Sequence, residues 1–139
     1  MTADVVLGVP QTQTIRSDED VVRVRQLVRT AAVSAKLSLV DQTKLVTAAS
    51  ELARNTLIYG GGGSAEVITA EDGRRRGVRI VFTDSGPGIP DLDLALTDGY
   101  TTGGGLGLGL SGARRLVDDF DIWTEPGKGT RITITKWSR

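Results

Sequence analysis

The sequence contains no cysteine and no histidine. Without thiols there are no disulfides and no thiolate metal sites, which fits a reducing compartment and leads us to expect a cytoplasmic protein. Without imidazoles the chain has no His nucleophile, no His general base, no His metal ligand and no phospho-accepting His. There is no surplus of either charge: 17 Lys and Arg balance 17 Asp and Glu, so no electrostatic footprint of a DNA or RNA binder is present. No apolar run is long enough to span a bilayer, so no membrane partner is expected. Met1 to Asp4 shows neither a basic start nor an apolar stretch, and no signal peptide is expected. Internal repeats and low-complexity linkers are also missing.

The apolar fraction, 39% of 139 residues, suits one globular domain over residues 1–139. Alternating Val5, Leu7 and Val9 suggest an opening strand that Pro10 interrupts. Ser17 ahead of Asp18, Glu19 and Asp20 signals a helix start, and Val21, Val24, Val28, Ala31 and Ala35 carry that helix to about Leu37. Asp41 is the next plausible cap, for a second helix with a Leu45, Ala49 and Leu52 stripe that ends before the four glycines 60–63. Strands are expected near 65–71 and 78–84, where Val78, Ile80 and Phe82 share a face. Residues 85–109 form an irregular stretch too long for an ordinary connection. A short helix at 111–118 and closing strands at 120–124 and 131–137 complete an α/β sandwich with one mixed sheet and about three helices on one face.

Chemistry concentrates in three places, and glycine, 18 residues, marks two of them. Glu51 and Asn55 lie four apart on the second helix, at the edge of its buried stripe. An Asn carbonyl is a hard oxygen ligand suited to Mg²⁺, and a carboxylate beside it can take a proton from an attacking hydroxyl. Alone, both residues read as solvated helix positions. Asp84 ends a core strand and runs into Gly86, Pro87, Gly88, Ile89 and Pro90. Such an Asp can accept a hydrogen bond from an exocyclic amine, and the glycines let a flat ring approach the backbone; a plain turn is the alternative. Gly103, Gly104, Gly105, Leu106, Gly107, Leu108 and Gly109 lead into a helix, an arrangement of free N–H groups suited to phosphate. A flexible linker would favour serine over alternating leucine. Gly107, Gly109 and Gly112 spell G-x-G-x-x-G but follow a glycine loop rather than a strand, which rejects a dinucleotide fold. The P-loop, H-R-D and D-F-G signatures are missing.

Taken in order, these elements resemble the GHKL family of ATP-binding domains. Its N box is similar to Glu51 through Asn55, its first Gly box to 84–89, its second to 103–109, and its last to Gly127, Lys128, Gly129 and Thr130. Each motif is weak alone; four in register over residues 47–130 are specific. The resemblance implies a two-layer α/β sandwich of the GHKL (Bergerat) type, with residues 85–109 as an ATP lid that is mobile without nucleotide and orders with MgATP. Within the family, the stretches 50–55, 98–107 and 113–120 resemble the small bacterial serine kinases of partner-switching modules, over nearly the whole chain. That implies transfer of the γ-phosphoryl of MgATP to Ser or Thr of STAS-domain proteins, and binding and activation of a PP2C-type phosphatase in a stress response. It further implies Glu51 at or near the general base, Asn55 on Mg²⁺, and Asp84 reading adenine. Gly86, Gly88, Ile89, Thr102, Gly103, Gly104, Gly105, Leu106, Gly107, Leu108, Gly109 and Thr130 would hold the rest of the nucleotide. The alternative is an anti-sigma factor that sequesters a sigma subunit and phosphorylates its antagonist. The nucleotide boxes do not separate the two. The detached catalytic half of a histidine kinase would need a separate phospho-acceptor, and a nucleotide-responsive binder without catalysis would show no phosphotransfer.

Overall fold

The computed structural model describes residues 5–97 and 109–139. Strand β1 (Val5–Ile15) is followed by helices α1 (Asp18–Ser34) and α2 (Leu39–Ile58), then by strands β2 (Gly63–Glu71) and β3 (Arg76–Asp84). A single-turn helix α3 (Leu92–Ala95) and helix α4 (Gly109–Arg115) precede strands β4 (Asp119–Glu125) and β5 (Gly129–Trp137). The five strands form one sheet in the order β1-β2-β3-β5-β4. Every neighbouring pair is antiparallel, where the sequence predicts a mixed sheet. The reason is connectivity. Two helices lie between β1 and β2, so the chain returns to the end of the sheet it left and must run back beside β1. The tight turns after β2 and β4 make hairpins, and β5 slots between β3 and β4.

Ser17 caps α1 as its sequence suggests, its hydroxyl accepting the Asp20 N–H at 3.3 Å. For α2 the cap is Ser38, not Asp41: the Ser38 hydroxyl accepts the Asp41 N–H at 3.1 Å. Asp41 turns inward instead, because the buried Lys136 ammonium needs a counter-charge. Lys136 Nζ lies 3.6 Å from Asp41 Oδ1 and 3.3 Å from Asp118 Oδ1, and Arg139 reaches both carboxylates from outside. This cluster ties the start of α2, the turn after α4 and the end of β5 together. β1 also departs from its sequence, running through Pro10 to Ile15. It is an edge strand whose pairing shifts between Leu7 and Gln11, so the missing N–H breaks no ladder bond.

Val21, Val24, Val28 and Ala32 of α1 and Leu45, Ala49 and Leu52 of α2 bury against Ile15, Ala65, Ile80, Phe82, Ile132 and Ile134 of the sheet. α4 adds Leu110 and Ala113 to the same core, so the three longer helices cover one face. Phe82 is only 2% exposed, and its burial contributes about 1.5–3 kcal/mol. At one end of the sheet two cross-strand rows present opposite faces. Ile15, Gly63, Asp84 and Thr130 are mutual partners facing the helices. Thr14, Ser64, Thr83 and Arg131, one residue removed, face the other way. Among the described residues no helix is long and apolar enough to cross a membrane.

Candidate functional site

Asp84 is the last residue of β3, half-buried at the helix-facing end of the sheet. Its Oδ1 accepts the Gly86 N–H at 2.9 Å, so the turn after β3 fixes its rotamer, and Oδ2 accepts no hydrogen bond among the described residues. Gly60 makes room for that carboxylate, and Gly86 and Gly129 make room for the backbone around it. A β-carbon on Gly60 would sit 2.5 Å from Asp84 Cγ; one on Gly86 would strike the Gly60 backbone; one on Gly129 would strike the Asp84 carbonyl. By sequence Gly86 belongs to the first Gly box, whereas Gly60 reads only as a helix terminator. The folded chain brings Gly60 onto the carboxylate.

Gly60 also connects Asp84 to α2. Its N–H donates to the Asn55 carbonyl at 3.2 Å, alongside the Tyr59 N–H at 2.9 Å. Glu51 and Asn55 stand one turn apart on α2, both half-buried at the margin of the Leu45, Ala49 and Leu52 stripe. The Asn55 side-chain amide makes no hydrogen bond among the described residues, which leaves its carbonyl oxygen for a ligand. A hard cation such as Mg²⁺ fits that donor, with phosphate oxygens and water completing its shell.

The loop after Asp84 is stitched to the β4–β5 hairpin. The Gly127 N–H donates to the Pro87 carbonyl at 2.8 Å, and the Ile89 N–H donates to Thr124 Oγ1 at 2.9 Å. Thr124 gives its own proton to the Gly129 carbonyl at 3.1 Å, so in its 3.0 Å contact with Thr130 the Thr130 hydroxyl is the donor. Gly88 adopts φ 78°, and a β-carbon there would meet the Glu125 carbonyl at 2.5 Å. Ile89 packs against the core, and Thr130 is buried opposite Asp84. Thr124 is a second residue that no sequence signal announces. Asp84, Gly86, Gly88, Ile89 and Thr130 are thus brought together, with Asn55 joined to them through Gly60.

The stretch 85–109 is not wholly irregular. Asp91 caps the single turn α3, its side chain accepting the Leu94 N–H at 3.0 Å. Gly109, at φ 72°, starts α4 earlier than the 111–118 read from sequence, and Leu110, Ser111 and Ala113 anchor that helix. Thr102, Gly103, Gly104, Gly105, Leu106, Gly107 and Leu108 lie outside the described residues.

A family model described as "Histidine kinase-, DNA gyrase B-, and HSP90-like ATPase" matches residues 40–138. The chain is 42% identical over 125 residues to the serine/threonine-protein kinase RsbT of Bacillus subtilis, covering 90% of this chain and 94% of that protein. It is 34% identical over 119 residues to the anti-sigma F factor of Bacillus licheniformis, covering 78% and 80%. Among solved structures, the RsbU and RsbW domains of Rv1364c from Mycobacterium tuberculosis match 95% of this chain and 33% of that one, with a TM-score of 0.66 and 22% identity. At that identity the likeness speaks for the fold.

Proposed function

The chain belongs to the histidine kinase-, DNA gyrase B- and HSP90-like ATPase family, and on that premise we propose that it is a protein serine/threonine kinase of a bacterial partner switch. The observation that carries this reading is the pair of reserved acceptors at one end of the sheet. Asp84 Oδ2 and the Asn55 amide oxygen belong to half-buried residues and make no hydrogen bond among the described residues, on elements that Gly60 joins, within a chain 42% identical to a named serine/threonine kinase.

In this reading Asp84 Oδ2 accepts the exocyclic amine of adenine, while Gly86 and Gly88 let the ring reach the backbone. Ile89 and the Thr124–Thr130 pair hold that loop against the hairpin. Asn55 would hold Mg²⁺, and the glycines 103–109 with Thr102, Leu106 and Leu108 would contact the phosphates. Bound MgATP supplies the γ-phosphoryl group. Glu51 accepts the proton of the attacking hydroxyl, and most of the rate comes from alignment and charge neutralisation. The acceptors are STAS-domain proteins in the cytoplasm, and the freed kinase binds and activates a PP2C-type phosphatase.

The 34% identity to an anti-sigma F factor favours a second reading, a kinase that also sequesters a sigma subunit. Incubation with MgATP and a STAS-domain protein, followed by phosphosite mapping, tests the first reading. Transfer of label to a Ser or Thr of the partner is expected from the wild type and not from Asn55→Ala. Co-purification with a sigma subunit and no transfer to the STAS protein would favour the second reading.

A further inference from the structure

We infer that the corner between α1 and α2 is a docking surface for a partner protein that presents an acidic amphipathic helix. α1 buries Val24, Val28 and Ala32 against the sheet and turns its opposite side to solvent. Arg29 and Val33 share that outer side one turn apart, and Lys36 follows just past the helix end; all three are exposed. A connection of four residues, 35–38, leads into α2, whose first turn exposes Leu39 and Val40. Lys44 stands one turn beyond Val40 on the same face. Val33, Leu39 and Val40 are 57%, 72% and 64% exposed. A single exposed aliphatic is ordinary, but three gathered at one tight bend and framed by cations form an apolar centre with a charged rim.

Charge sets the sign of the partner. Between Val24 and Ser50 the chain has four cations, Arg25, Arg29, Lys36 and Lys44, against one carboxylate, Asp41. The whole chain is neutral, so this segment is a local positive excess. Asp41 is buried and paired with Lys136 and Arg139. None of the four cations has an ion-pair partner among the described residues. Lys36 adds an independent sign. α1 ends in a Schellman turn, in which the Leu37 N–H donates to the Ala32 carbonyl and the Lys36 N–H to the Val33 carbonyl, both at 3.0 Å. Lys36 therefore sits at φ 64°, where glycine is usual, and among the described residues no other non-glycine has a positive φ. A cation in the last turn of α1 would complement the helix dipole without strain, yet that turn has none. The charge stands instead on a strained backbone position in the middle of the patch.

The surroundings restrict what the partner can be. The patch lies on helices, away from the edge strands β1 and β4, so an extended segment would find no backbone groups to pair with. A helix satisfies its own backbone and offers apolar and acidic side chains at 3- and 4-residue spacing. No aromatic residue precedes Tyr59, so the corner has neither the rings that stack on bases nor the Trp or Phe of a membrane-surface helix. Leu39 stands 16 residues before Asn55 on α2, about 24 Å along its axis. Docking at the corner thus leaves the proposed nucleotide site open and does not rest on that reading.

The test uses the full chain, with and without a saturating non-hydrolysable ATP analogue and Mg²⁺. The probe is a fluorescein-labelled peptide of about four helical turns, with leucine along one face and glutamate beside it. Fluorescence anisotropy should show saturable binding that falls at least about tenfold when every glutamate becomes glutamine, and that weakens as salt is added. Leu39→Ala and Lys36→Gly should each weaken it about threefold, and the double variant about tenfold. Lys36→Gly should leave the melting temperature unchanged or raise it, because glycine suits φ 64°. Weaker binding by a chain at least as stable then belongs to the lysine side chain. Absence of saturable binding, equal binding of the glutamine peptide, displacement by the ATP analogue, or wild-type affinity in the double variant would overturn the assignment. Tighter binding to phosphatidylglycerol vesicles or to duplex DNA than to the peptide, lost in the double variant, would overturn a protein as the occupant.

Discussion

Replacing Gly60 by alanine tests the geometry of the nucleotide site at one atom. Gly60 does not have a positive φ, so alanine suits its backbone and only the new β-carbon matters. That carbon would lie 2.5 Å from Asp84 Cγ and 2.6 Å from Asp84 Oδ2. Carbon atoms pack at about 3.5 Å or more, so the carboxylate must retreat by roughly 1 Å. It then loses either the Gly86 N–H or, in the proposed site, its aim at the adenine amine. A hydrogen bond to a charged group contributes about 1.5–3 kcal/mol, so ATP affinity should fall about 10- to 100-fold. Overpacking adds about 1–3 kcal/mol of destabilisation. Calorimetry with a non-hydrolysable ATP analogue measures the first effect, and thermal melting the second. Preference for ATP over GTP should shrink too, because an Asp84 acceptor discriminates the amine from a carbonyl. In an Asp84→Asn background the added effect of Gly60→Ala on selectivity should vanish. ATP affinity within twofold of wild type in Gly60→Ala would refute the placement of Asp84 against Gly60.

Asn55→Ala should abolish Mg²⁺-dependent phosphotransfer while thermal melting stays near wild type; normal kinase rates would remove Asn55 from the metal. Asp84→Asn should weaken ATP binding about 10-fold or more by setting a donor against the adenine amine, and equal affinities by calorimetry would contradict it. Lys136→Met should lower stability by about 3 kcal/mol in chemical denaturation, because among the described residues Asp41 is left buried with only the exposed Arg139 as ion-pair partner. Acid should weaken the same cluster. Burial alone would raise the Asp118 carboxyl, but the Trp137 N–H, Lys136 and Arg139 outweigh it and hold the group below its ordinary 3.8. A depressed carboxyl stabilises the fold above its ordinary value and loses that contribution as pH falls through the folded one. The melting temperature of wild type should therefore drop below about pH 4, and Asp118→Asn should flatten that slope.

Periodicity and box order make the helices, most strands and the nucleotide motifs legible in the sequence alone. α1 and α2 are readable because their buried stripes repeat at 3–4 spacing, a local consequence of helix geometry. Asp84, Asn55 and Glu51 are singled out in the sequence by the order of the family's boxes, since each motif is weak alone. Strand direction is not, since it depends on how many helices intervene before the chain pairs again. The Ser38 cap loses to Asp41 in the sequence because the demand for a counter-charge comes from Lys136, far along the chain. Gly60 and Thr124 carry no local sign of their role: each acts on a partner at least 24 residues away, Asp84 and Ile89, through contacts that exist only once the sheet has formed. Local pattern determined which elements form and which residues are candidates for chemistry; close approach between distant residues, decided by packing, determined which of them come together.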